Sequence, residues 1–326
     1  MLDELARTDR IRLGRFYFRR TLRIFPPYYM LIAVLAVAGA AGVIQLAPHD
    51  VARTMTYTSN YYAGRSWFVG HTWSLSVEEQ FYLLWPAVLL LAGTRRAFVI
   101  AGAVVLLAPV VRVGEWELLR SFGDGVGHRF ETIVDAIAMG CLLAGLRPYL
   151  HGTTWYPRLL ASPLFIIVPV TAVVANLTHD HPLVVFGAAL TIMNLAIALS
   201  IDWAVTFAEE RVGRLLNTAP LVFVGWLSYS LYLWQQPFLN RSSQSALAAF
   251  PLNILIVAFL ALASYLLVER PALRLRRTLE RGRTRSAAPA PSPLDARAGL
   301  AADAMLVPQP ATSKARSMPG PPVPVE

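Results

Sequence analysis

His71, Trp73, Ser74 and Glu78 fall within eight consecutive positions, just ahead of an apolar run from Phe81 to Leu91. An imidazole, a hydroxyl and a carboxylate this close together are the side chains from which general acid–base catalysis is built. Carboxylates at the mouth of an apolar segment are costly unless paired, solvated or used. Part of the run has a plainer explanation. Ser76 with Glu79 three residues on has the spacing of a capping box, which satisfies the first amides of a helix. That explanation covers Ser76 and Glu79 and leaves His71, Trp73, Ser74 and Glu78 for chemistry.

Further segments carry polar groups at regular spacing. Arg15, Arg19 and Arg23 recur every four residues and share one helix face, with Arg20 beside them. They either hold lipid phosphates at a membrane surface or clamp the phosphates of an anionic cofactor such as a nucleotide or coenzyme A. Glu131 and Asp135 stand four apart; they could share a proton or pair with Arg112 or Arg129. Gly225, Ser228, Tyr232 and Gln235 or Gln236 form a stripe suited to helix–helix hydrogen bonding or to lining a cavity. Glu269-Arg270-Pro271 reads as a membrane boundary, and His179 and His181 around Asp180 as an exposed turn.

Positioning these groups requires apolar helices. The chain has 326 residues, 56% hydrophobic and 15% charged, with mean hydropathy +0.49. That composition fits an all-α, polytopic transmembrane bundle. Windows long enough to cross a bilayer occur near 25–47, 76–92, 97–113, 130–146, 163–177, 183–205, 219–240 and 249–268, about eight spans. Residues 1–24 read as a cytoplasmic, amphipathic basic segment without the apolar core of a signal peptide. Residues 25–270 form the transmembrane domain, and 271–326 a basic, Pro/Ala-rich tail, disordered after a short helix. Seven arginines lie in Arg7–Arg23 and ten basic residues from Arg270 onward. This puts both termini in the cytoplasm, facing anionic lipid and not nucleic acid. The lone Cys141 excludes an internal disulfide and any cysteine-based metal cluster, and no metal site is expected.

Phe16–Tyr29, His71–Pro86, Phe130–Ala144, Gly225–Pro237 and Glu269–Pro271, in that order, resemble the membrane acyltransferase 3 family. The resemblance covers roughly 14–277, and its most specific part is the run His-Thr-Trp-Ser-Leu-Ser-Val-Glu-Glu-Gln-Phe-Tyr. It implies an inner-membrane enzyme moving an acyl group, usually acetyl, from cytoplasmic acyl-CoA to a hydroxyl of a glycan or lipid-linked sugar. Acyl-CoA is then a co-substrate, and no cofactor is bound permanently. It further implies that Arg19, Arg20 and Arg23 hold the CoA phosphates, while His71, Trp73, Ser74 and Glu78 lie near the acceptor end of one pore. Ser228, Tyr229, Tyr232 and Asp135 are expected to line it. Gln235 stands where the family often has histidine. The family also carries two earlier spans, with a basic residue and, eleven positions on, a histidine regarded as catalytic; Met1 falls after them. The expectation is a true start further upstream. The other reading is a truncated, non-catalytic member acting as a membrane binding or carrier subunit.

Overall fold

The computed structural model describes residues 12–119, 126–177 and 181–286. Among them every regular element is a helix. The principal ones are α1 (Leu13–Ala40), α2 (Asp50–Met55), α3 (Thr72–Leu119), α4 (Phe130–His151), α5 (Trp155–Ala161), α6 (Ile167–Asn176), α7 (Leu190–Thr206), α8 (Arg211–Leu216), α9 (Ala219–Phe238), α10 (Leu252–Ser264) and α11 (Arg270–Ser286). The chain divides into two units, 1–276 and 277–326. Of the second, only the helical turns to Ser286 are described, so the expected disordered tail lies outside the described residues.

Five helices are long and apolar enough to cross a membrane, or six if the pair Trp155–Ala161 and Pro163–Asn176, bent by 71°, counts as one span. The count of eight is not reached this way, for identifiable reasons. Windows 76–92 and 97–113 belong to one helix of 48 residues, α3, broken only at Gly93 (φ 74°). A left-handed residue inside an apolar helix reverses the chain locally, and glycine adopts that conformation at no steric cost. Window 219–240 does form a helix, α9, but its Ser, Tyr and Gln residues make it too polar to qualify.

Outward faces are apolar: Leu91 is 88% and Leu106 78% exposed. A helical chain with bare leucines and internally satisfied backbone is what hydrocarbon surroundings require, and the chain reads as a multi-pass membrane protein. Neighbouring helices alternate in direction. Tyr17 of α1 donates to the Leu83 carbonyl, whereas Tyr28, further along, donates to the Thr54 carbonyl. Phe98, just past the Gly93 break, lies against Gly145 near the end of α4. The start of α1, the Gly93 break and the ends of α4 and α10 therefore gather at one side. Loop 41–71, His128 and the end of α9 gather at the other.

The main core lies directly beneath the residues singled out above. Tyr28, Leu31, Ile32 and Leu35 of α1 pack with Tyr57, Val69, Leu75, Leu233 and Trp234. Pro26 and Pro27 inside α1 remove the donors for the Leu22 and Arg23 carbonyls. Tyr229 of α9 donates to the next carbonyl, Ile24, at 3.0 Å. A helix weakened by its own sequence is thus held by a neighbouring one.

Candidate functional site

His71, Ser74, Glu78 and Tyr82 are spaced +3, +4, +4 and so form one stripe down the start of α3. The helix is fixed at its entry by hydroxyls. Ser59 Oγ lies 3.1 Å from Thr72 Oγ1 and 3.0 Å from Ser76 Oγ, and Thr72 donates to the Val69 carbonyl at 2.8 Å. Ser76 therefore sits inside the helix and does not cap it. Glu79, the expected second half of a capping box, turns to Arg20 instead. Gln80 clamps the incoming loop by donating to the Tyr57 carbonyl (2.8 Å) and Asn60 Oδ1 (3.0 Å).

The half of the stripe nearer the start of α1 is charged. Arg20 Nε donates to Glu79 Oε1 at 3.2 Å, and its Nη2 lies 3.7 Å from Glu78 Oε2. The same guanidinium lies over the Tyr82 ring, and Tyr82 Oη is 3.5 Å from Glu78 Oε2. One cation among two carboxylates leaves a net negative charge. Beside it opens a cavity of about 340 Å³ between α1 and α3, reaching from Tyr17 and Leu83 past Arg20 and Glu79 to Thr56 and Thr58. Arg19 is half-buried and Arg23 exposed. Arg23 acts electrostatically on Glu269, which is buried and accepts a hydrogen bond from Ser230 at 3.1 Å. The three arginines thus do not form one open patch, since Arg20 is already committed to α3.

The other half of the stripe is neutral and enclosed. The Tyr232 hydroxyl donates to the His71 carbonyl at 2.7 Å and forms a short hydrogen bond with Ser74 Oγ. The His71 ring packs edge-on against Tyr232, with centroids 5.4 Å apart. It is 6% exposed and adjoins the Leu233 backbone, yet neither ring nitrogen has a hydrogen bond of normal geometry. Buried polar atoms in that condition are costly and call for an explanation. Trp73 stacks edge-on against His128 at 4.6 Å. Trp67 Nε1 donates to the Gln236 carbonyl at 2.6 Å. A Cβ on Gly70 would meet Gln236 Nε2 at 3.0 Å and the Trp67 carbonyl at the same distance, so this loop and α9 are in close contact.

Three expected lining residues go elsewhere. Ser228 is exposed, and Ser230, two positions on, holds the inward place. Tyr229 is engaged with α1. Asp135 is wholly buried but pairs with Arg112, which also donates to the Thr132 carbonyl (2.6 Å) and Thr191 Oγ1 (2.9 Å). Asn194 Nδ2 completes the cluster, donating to Asp135 Oδ2 at 3.2 Å. Glu131 does not pair with Asp135. It accepts from Tyr61 at 3.0 Å and lies 3.8 Å from Arg129. Burial, with the Glu131 charge second, pushes the Tyr61 phenol up to about 12, so that hydroxyl remains a donor at neutral pH.

Sequence reasoning took Glu269 only as a membrane boundary and did not name Asp202. Asp202 draws in Arg147 (2.5 Å), Tyr156 (2.7 Å) and His151 (2.9 Å). A lone Asp inside an apolar window was the available signal in the second case.

Residues 5–270 match the acyltransferase 3 family, described as an acyltransferase domain, and the chain belongs to that family. It is 26% identical over 305 residues to the O-acetyltransferase OatA of Staphylococcus aureus (strain NCTC 8325 / PS 47), covering 83% of this chain and 49% of that protein. It is 25% identical over 294 residues to the putative peptidoglycan O-acetyltransferase YrhL of Bacillus subtilis (strain 168), covering 78% and 45%. The chain spans about half the length of these curated relatives. No solved structure matches it.

Proposed function

We propose that this chain is an integral-membrane O-acyltransferase that moves an acyl group, acetyl by the names of its relatives, from acyl-CoA to a hydroxyl of an envelope glycan. The observation that carries the reading is the single stripe on α3. It joins a charged pocket beside the basic start of α1 to an enclosed His–Ser–Tyr group about 10 Å along the same helix from Glu78 to His71, at 1.5 Å per residue. Eight crossings, with α3 counted as two, would put both described ends of the bundle in the cytoplasm of an inner-membrane protein.

In this reading Arg19 and Arg23 bind donor phosphates, while Arg20 orients Glu78 and Glu79. The acceptor oxygen attacks the thioester carbonyl carbon and the C–S bond breaks. Coenzyme A leaves as the thiolate and takes up a proton, becoming the thiol. The acceptor's proton passes to a base, for which the unpartnered His71 imidazole and the Glu78 carboxylate are the candidates. Ser74 and Tyr232 hold the acceptor end, and Trp73 walls it.

The test is release of coenzyme A thiol from acetyl-CoA by the purified chain in lipid nanodiscs, with a soluble glycan fragment as acceptor. Glycan-dependent thiol release, reduced at least a hundredfold in His71→Ala or Glu78→Gln, supports the enzyme. Acetyl-CoA binding without turnover in the wild type would instead support a non-catalytic binding subunit.

A further inference from the structure

A second cavity, of about 450 Å³, lies between α4 and α7, away from the α3 stripe. Its wall on α4 is made by Ala136, Gly140 and Ala144, and on α7 by Ile197, Ala198 and Ile201. Ala136, Gly140 and Ala144 on α4, with Ala198 between Ile197 and Ile201 on α7, leave a trough. The positions Ala136, Gly140 and Ala144 are exposed, so the trough opens sideways to the membrane. One end is closed by Asn194, which is tied to the buried Asp135–Arg112 pair. The other end is Arg147 with Asp202.

The two ends differ in kind. Arg147 is 43% exposed at its side chain, against 1% for Asp202. Its Nε is held by Asp202 and its Nη2 by Thr206 at 3.3 Å. Nη1 has no hydrogen-bond partner among the described residues and is left for an outside anion. His151, on the same carboxylate, is 26% exposed at its side chain. Tyr149 and Trp155, 76% and 56% exposed, flank this end as aromatic residues do at headgroup level. From Ala136 to Arg147 the helix rises about 16 Å at 1.5 Å per residue. Half of a hydrocarbon core is about 15 Å, so the trough is as deep as one leaflet.

We propose that this trough is a lipid site. It takes one acyl chain of a glycerophospholipid from the adjoining leaflet and holds the phosphate on Arg147 Nη1. The site is independent of the acyl-transfer reading. A second copy of the chain could lay an apolar helix on the small-residue face, but it would bring no anion to Arg147. The guanidinium N–H left free at headgroup depth therefore favours the lipid.

Native mass spectrometry of the full purified chain with phosphatidylglycerol, alongside thermal melting, tests this. A Cβ at Gly140 meets no heavy atom within 4 Å, so Gly140→Leu is placed to extend into the trough, and its lipid-free melting temperature reports whether the packing holds. Wild type should retain one phosphatidylglycerol and melt higher with it. Gly140→Leu should lose at least tenfold in apparent affinity while keeping its lipid-free melting temperature. Arg147→Gln should weaken phosphatidylglycerol but not diacylglycerol; should it fail to fold, Gly140→Leu alone decides. Equal retention by wild type and Gly140→Leu overturns the site. Equal binding of diacylglycerol and phosphatidylglycerol by wild type overturns the phosphate contact. A wild-type dimer lost in Gly140→Leu assigns the trough to a second copy, and preference for a polyprenyl phosphate overturns the choice of lipid.

Discussion

Arg20 is shared between two carboxylates and an aromatic ring, and removing it strands both acids. Arg20→Ala should therefore lower stability by roughly 2–4 kcal/mol, since an acid left unpaired away from water keeps its desolvation cost; thermal melting in detergent reads this. Glu79→Gln keeps the shape and should cost less than Arg20→Ala in the same measurement. At the enclosed end, Tyr232→Phe removes the hydroxyl that donates to the His71 carbonyl and meets Ser74. One lost hydrogen bond is about 1 kcal/mol, so acyl transfer should fall five- to tenfold with melting little changed. His71, Trp73, Ser74 and Glu78 were legible in the sequence as a polar group at the mouth of an apolar run, and the structure adds that His71, Ser74, Glu78 and Tyr82 share one face of α3 while Trp73 lies off it. Ser228 is exposed and Ser230 buried, because a polar stripe fixes a face only relative to the other residues of α9. Which face meets α10 is decided by Ser264 and Glu269, more than thirty residues away.

Long helices were legible from apolar windows, but their joints were not. Gly93 lies between two such windows and is followed by Thr, Arg and Arg, a pattern that fits a loop as well as a single left-handed residue. The difference is steric. Gly93→Ala would put a Cβ on a residue at φ 74°, ψ 163°, a region essentially confined to glycine, at a cost of about 1–3 kcal/mol, visible as a lower melting temperature although nothing lies near that Cβ. Asp135 illustrates the same limit between elements. Four-residue spacing from Glu131 left open a shared proton or a pairing with Arg112 or Arg129; the structure gives Asp135 to Arg112 of α3 and to the Asn194 amide of α7. Arg112→Met alone should destabilise by about 3–5 kcal/mol, and the double variant Arg112→Met/Asp135→Leu should recover most of it. Failure to recover would mean the pair does more than neutralise itself.

At the scale of the molecule, the alternating helices put Arg147, Arg158, Arg211 and Arg214 toward the side where α1 begins, and Asn240 toward the opposite side. A membrane-impermeant maleimide applied to intact cells should label Asn240→Cys and spare Arg214→Cys. Cys141, half-buried in α4, serves as the internal control. Labelling of both, or the reverse, would overturn the proposed orientation. The amino-acid sequence by itself determined that the chain is helical and membrane-embedded, that it belongs with the acyltransferases, and that polar residues gather at 71–80. Those follow from composition, period and local motif, which act within a few turns of helix. Only the tertiary structure decided that Arg20 faces Glu78 and Glu79, that Glu269 and Asp202 are buried with partners, and that a trough opens between α4 and α7. Each of those depends on how helices far apart in the chain rotate about their own axes to bury charge and fill volume. No local spacing encodes that rotation.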